Sequence, residues 1–307
     1  MAGNRINYFR ENEHKSTYCH IMKRGPWRAV HFDWHFGVDQ PEKERKGLIT
    51  ERLEIRSMAE KLNFTIYPSA KNILQTRNLT KPDFLRELHR FKELCASEPC
   101  GCILMTISSH GEIVKTDDQG GSESFEIFED NILTHQDSSA FSRDDSRVPV
   151  REIIEVFRDR KLKPIPKIFF IQACRAEENS TTDVDTGIRV GYRQENEFQY
   201  QDDPLNRSHS TPYLENSVMI YSTPFGYSAG FSYRIGSHVW KVLQMTLKEI
   251  LAQVPVIGPV NLLHWLKETN NRLAKSEEYE IDDIEYKPLL SICHTLTRNI
   301  IFDTNNN

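Results

Sequence analysis

Basic excess, abundant cysteine and long apolar runs are what this sequence has least of. Its 39 Lys and Arg are outnumbered by 44 Asp and Glu, for a formal net charge of −5. A chain that neutralises phosphate backbones or anionic lipid carries the opposite balance, so nucleic acid and membrane are not expected as partners. No stretch approaches the roughly 18 consecutive apolar residues of a membrane span. The opening MAGNRINYFRENEHKSTYCHIMKRG has no apolar core of a secretory signal. A cytoplasmic location is the expectation. Six cysteines in 307 residues are too few for a disulfide scaffold, and a reducing compartment keeps them as thiols. None shares metal-ligand spacing with a histidine, so neither metal nor cofactor is expected. Nor does a Gly-rich phosphate loop follow the first strand candidate, where HFGVDQPEKERKG stands. That removes a nucleotide-binding reading.

What is there alternates between two periods. Apolar runs of strand length stand at 28–36, 63–68, 100–109, 167–173, 216–223 and 289–296, and between them lie segments with helical spacing. One opens at Thr80, a plausible cap, with Phe84, Leu88, Phe91 and Cys95 on one stripe. Others run from about Pro149 through Phe157, near 238–252 and near 258–274. The alternation predicts an α/β domain with a mostly parallel sheet. Cys100 and Cys102, flanking one glycine, are expected on the same strand face as small core residues. Residues 115–147 and 177–211 are polar, lack the apolar residues for a core of their own, and are read as functional or linking loops.

In a parallel α/β sheet, ligands and reactive groups gather beyond the carboxyl ends of the strands. CILMTISSHGE delivers His110 there, and KIFFIQAC delivers Cys174. A thiol nucleophile needs a base that works near neutral pH, and imidazole suits that task. Gly111, without a β-carbon, can bring its N–H close to a substrate carbonyl. The N–H of Cys174 would supply a second oxyanion donor.

QACR after an apolar strand, with SHGE upstream, resembles the caspases, cysteine proteases that cut after aspartate. Their histidine stands about 50 residues before the cysteine. Here the spacing, from position 110 to position 174, is 64 residues, and the polar 115–147 segment accommodates the excess. Three further blocks fall in family order: ERKGL (44–48), TPYLENSVMIYSTPFG (211–226) and KPLLSICHTLTRNIIF (287–302). The resemblance implies a three-layer α/β sandwich, about six mostly parallel strands with helices on both faces. It implies Cys174 as nucleophile and His110 as base and then acid. Arg45 and Gln172 would line a pocket for the substrate's aspartate, since a planar guanidinium holds a carboxylate bidentately. It further implies a short N-terminal extension (1–26), executioner-like in length. A large-subunit region (27–183) with the insertion at about 115–147, a linker (184–208) and a small-subunit region (209–307) would follow. Cleavage at Asp183 or Asp185 would activate the zymogen. The partners would be protein substrates with aspartate before the cut bond, and a second copy or another caspase as dimer mate. The setting would be apoptosis or related signalling.

The sequence departs from the family at the substrate pocket. It reads QACRA where the family has QACRG, placing Ala176 at the glycine. Counting from Gly226 puts Phe231 where a second pocket arginine belongs, whereas Ser232, Tyr233 and Arg234 copy the expected Ser-Trp-Arg pattern three residues late. Either Arg234 reaches the pocket or the pocket has lost a guanidinium. Gly230 is a further departure, and His238 stands where the family has tryptophan. These features leave two readings: an aspartate-directed endopeptidase, and a weak or inactive homologue that regulates an active caspase.

Overall fold

A computed structural model describes residues 25–36, 44–68, 76–116, 126–135, 146–176, 188–189, 207–209, 214–232, 236–257, 259–275, 279–281 and 284–302. Its centre is a six-stranded sheet whose strands all come from the apolar runs of the sequence. In chain order these are β1 (Trp27–Asp33), β2 (Phe64–Tyr67) and β3 (Cys102–Ser108). Strands β4 (Gly111–Thr116), β5 (Glu126–Leu133) and β6 (Arg147–Pro149) follow and form a small antiparallel sheet apart from the centre. The central sheet resumes with β7 (Lys167–Gln172), β8 (Ser217–Tyr221) and β9 (Ser291–His294). Its spatial order is β9-β8-β7-β3-β1-β2, parallel except for β9 against β8.

Side chains alternate across the pleat and so feed two cores. Leu104, Ile168, Phe170 and Ile220 face one core, closed by helices α1 (Leu48–Lys61), α4 (His238–Ile257) and α5 (Leu262–Lys275). Ile103, Met105, Phe169 and Met219 face the other, closed by α2 (Lys81–Ser97) and α3 (Val150–Glu155). Helix α2 shows how locally this is encoded. The Thr80 hydroxyl accepts the Asp83 N–H at 3.4 Å, and Phe84, Leu88, Phe91 and Cys95 form its buried stripe. Cys100 and Cys102 are both buried, but in opposite cores. The pleat begins only at Cys102, so the expected common face does not extend back to Cys100.

Part of the polar 115–147 segment forms β5. Its apolar Ile132 and Leu133 join the α2/α3 core instead of building one of their own. This hairpin stands beyond the ends of β3 and β7, where His110 and Cys174 emerge. Among the described residues, no helix is long and apolar enough to cross a membrane, and no group of three metal-ligating side chains occurs.

Candidate active site

Strands β3 and β7 run parallel in register, with Ser108 opposite Gln172 as their last pair. The ladder continues one step, the Ser109 N–H donating to the Gln172 carbonyl at 3.0 Å. His110 and Cys174 therefore leave neighbouring strands at the same level, each two residues past that pair. Both are buried, at 7% and 9% exposure, just beyond the carboxyl ends of their strands. The His110 ring packs on Phe36, with centroids 5.1 Å apart. Phe36 holds a left-handed backbone, φ 60°, which bulky residues rarely adopt. The Ala229 N–H donates to the Cys174 sulfur at 3.3 Å.

Gly111 is demanded by space. A β-carbon there would lie 2.6 Å from the Cys174 carbonyl oxygen and 2.9 Å from that of Asn131. The hairpin also aims its amide. Leu133 N–H donates to the His110 carbonyl, so Gly111 faces Ile132 as a non-hydrogen-bonded pair and its N–H turns away from β5. Two residues on, and on the same side of β4, Ile113 N–H donates to the Ala176 carbonyl at 3.0 Å. The Gly111 N–H thus faces the Cys174–Ala176 segment. Ala176 itself causes no strain: the described non-glycine residues with positive φ are Phe36, Asn63, Asn78 and Asn216.

The residue between Cys174 and Ala176 has a structural partner that sequence reasoning missed. Arg175 forms a bidentate, buried ion pair with Asp130 of β5, both bonds 2.9 Å, and its guanidinium lies 3.8 Å over the Tyr221 ring. Burial, then the Asp130 charge, pushes the Tyr221 hydroxyl far above its ordinary pKa. Asp130 reads as a surface residue in the acidic run EIFED; nothing local distinguishes it.

Arg45 and Gln172 are brought to one site, nearly fully buried at 2% and 1% exposure. One hydrogen-bond chain joins them. Arg45 Nη1 donates to Ser108 Oγ at 2.9 Å, and the Ser108 hydroxyl donates to Glu51 Oε1. Glu51 Oε2 accepts the Ser237 N–H at 2.9 Å, and Ser237 Oγ donates to Gln172 Oε1 at 2.7 Å. Gln172 Nε2 reaches the Gly230 carbonyl at 3.4 Å. Gly236, at φ 74°, keeps this turn close: a β-carbon would come within 2.8 Å of the Glu51 side chain. Ser108, Glu51 and Ser237 were not singled out from the sequence, since a fully buried glutamate looks there like any helix-surface acid.

Phe231 takes the place opposite Arg45. The guanidinium carbon lies 4.0 Å from the centroid of its ring, a cation–π contact. His238, at the start of α4, has its pKa pulled down to about 4, first by burial and then by Lys241. Arg234, Asp183 and Asp185 lie outside the described residues.

Comparison with known proteins bears on the family and the fold. A family model, the caspase domain, matches residues 31–301. Among solved structures, the crystal structure of caspase-1 from Spodoptera frugiperda is similar in fold. Its TM-score is 0.62 at 18% identity, with 95% of this chain and 96% of that chain covered.

Proposed function

The chain belongs to the caspase family of cysteine peptidases, and on that premise we propose that it is an endopeptidase that cuts after aspartate. His110 takes the proton of Cys174, and the thiolate attacks the scissile carbonyl. The N–H groups of Gly111 and Cys174 hold the oxyanion, and protonated His110 then gives its proton to the leaving amine. Water, with His110 again as base, releases the acyl group. Arg45 and Gln172 hold the aspartate carboxylate, pre-aligned by the chain through Ser108, Glu51 and Ser237. The observation that carries this reading is the common level of His110 and Cys174 at the ends of two paired strands, with Gly111 packed on the Cys174 carbonyl.

The zymogen reading goes with it: cleavage at Asp183 or Asp185 separates a large from a small subunit, in apoptosis or a related signalling route. Strand β9 stands at the edge of the central sheet, and addition of a second copy there makes the dimer. A second reading, a poor enzyme that regulates an active relative, is favoured by one observation. Phe231 occupies the face of Arg45 that a second arginine would share with the substrate.

Wild type and Cys174→Ala, followed by intact mass and by turnover of a fluorogenic peptide panel ending in aspartate, test the proposal. Linker cleavage and turnover that vanish in the mutant support the enzyme. If wild type pre-cut at Asp185 is also silent, the regulator reading replaces it.

A further inference from the structure

A cavity of about 210 Å³ lies apart from His110 and Cys174, between β1, β2 and α1 near the open edge of the sheet. One end is apolar, lined by Ala29, Ile55, Ala59, Phe64, Ile66 and Leu104. The other is charged. There Asp33 receives two 2.6 Å bonds from Arg52 and lies 3.2 Å from His31 Nε2, while His31 Nδ1 pairs with the Thr106 hydroxyl at 2.8 Å. Arg56 is spent on Glu60 at 2.8 Å. Three guanidiniums, those of Arg52, Arg56 and Arg77, thus meet two carboxylates at the lining. Arg77 is left without a hydrogen bond or ion pair among the described residues, and its backbone is pinned beside Asp33. Burial first, and the neighbouring Arg52 charge second, lower its pKa, against the opposing pull of the Asp33 carboxylate.

We propose that this cavity binds a small monocarboxylate with an apolar body, its carboxylate on Arg77 beside Arg52 and its body against Phe64, Ile66 and Leu104. The size fits: an apolar cavity of about 150 Å³ accepts benzene, and the remaining space holds a carboxylate. The charge fits as well, since Asp33 is already engaged by Arg52 and His31 and an incoming anion would pair Arg77, which has no hydrogen bond or ion pair among the described residues. A neutral ligand would leave Arg77 as it is.

Titration calorimetry of the full chain with phenylacetate, and with phenylacetamide as its uncharged isostere, tests this. Phenylacetate is expected to bind, with the amide at least tenfold weaker, because the charge-assisted bond is lost. Arg77→Gln should weaken phenylacetate at least tenfold, and Arg77→Lys should retain most of the affinity. Repeating the titration on Cys174→Ala keeps catalysis out of the readout. Absence of phenylacetate binding at millimolar concentration overturns the proposal. Equal affinity for the amide, or binding that Arg77→Gln does not change, also overturns it, the latter by placing the ligand on another cation such as Arg45.

Discussion

Replacing Phe231 with arginine is the most informative single change to the proposed substrate pocket. In the present structure the aromatic face shields the buried Arg45 guanidinium at 4.0 Å, a contact that contributes up to about 2 kcal/mol when desolvated. Phe231→Arg removes that contact and sets two like charges side by side. At about 4 Å and an effective dielectric near 20, the repulsion is of order 4 kcal/mol before the side chains relax. The free protein should therefore lose stability, seen as a thermal midpoint several degrees lower. A substrate aspartate reverses the balance by placing a carboxylate between the two guanidiniums. One added charge-assisted hydrogen bond is worth about 1.5–3 kcal/mol, so kcat/KM on peptides ending in aspartate should rise by about one to two decades. The companion Phe231→Ala removes the stack without adding charge and should not give that gain. Initial rates on paired fluorogenic peptides ending in aspartate or asparagine, with linker-cut protein, measure the effect. A folded Phe231→Arg protein no faster than wild type on aspartate peptides, or one that gains equally on asparagine, would refute the reasoning.

Other perturbations probe the surrounding frame. Gly111→Ala should cost about two to three decades of turnover by displacing an oxyanion donor, because the new β-carbon meets the Cys174 and Asn131 carbonyls at 2.6 and 2.9 Å; near-normal rates would remove Gly111 from the oxyanion role. Asp130→Asn leaves Arg175 charged and buried, and should destabilise the fold by about 3–5 kcal/mol in denaturant unfolding; a loss below about 1 kcal/mol would mean that the Tyr221 face suffices for that cation. Lys167 is buried, its ammonium donating to the Leu162 and Ile165 carbonyls at 2.9 and 2.7 Å, and burial pulls its pKa down to about 8. Between that value and the unfolded pKa near 10.4 the unfolded chain binds the extra proton. Stability from this residue should therefore rise with pH across that window, by on the order of 3 kcal/mol, and be lost again as pH falls through 8. Unfolding of wild type and Lys167→Met from pH 7.5 to 10.5 isolates the effect, and parallel curves would contradict it.

All six central strands were legible because their apolar residues arrive in short uninterrupted runs, and α2 because Thr80 and its stripe obey local rules. The same logic fails for β5. Its sequence EIFEDNIL looks like solvated loop since Glu129 and Asp130 are acidic, yet both are buried against Arg151 and Arg175. A paired charge carries no local mark of its partner, which here lies 45 residues away. Glu51 was illegible for the same reason: its burial depends on a serine hydroxyl and a backbone amide supplied from other parts of the chain. Counting from Gly226 puts Phe231 at the second-arginine position of the family, and only three dimensions show its ring stacked on the Arg45 guanidinium.

The place of β8 between two strands of the sheet makes one peptide connection redundant. Strand β8 is held by β7 on one side and β9 on the other, and sends Val218 and Ile220 into one core and Met219 and Tyr221 into the other. Arg45 and Gln172, before the 177–211 segment, reach Ser237 and Gly230, after it, through hydrogen bonds among described residues. A chain severed there is a split protein whose halves are interlocked by a shared sheet, so they should copurify as one particle. Two separately encoded halves, expressed together, should assemble the same pocket with no covalent join between them.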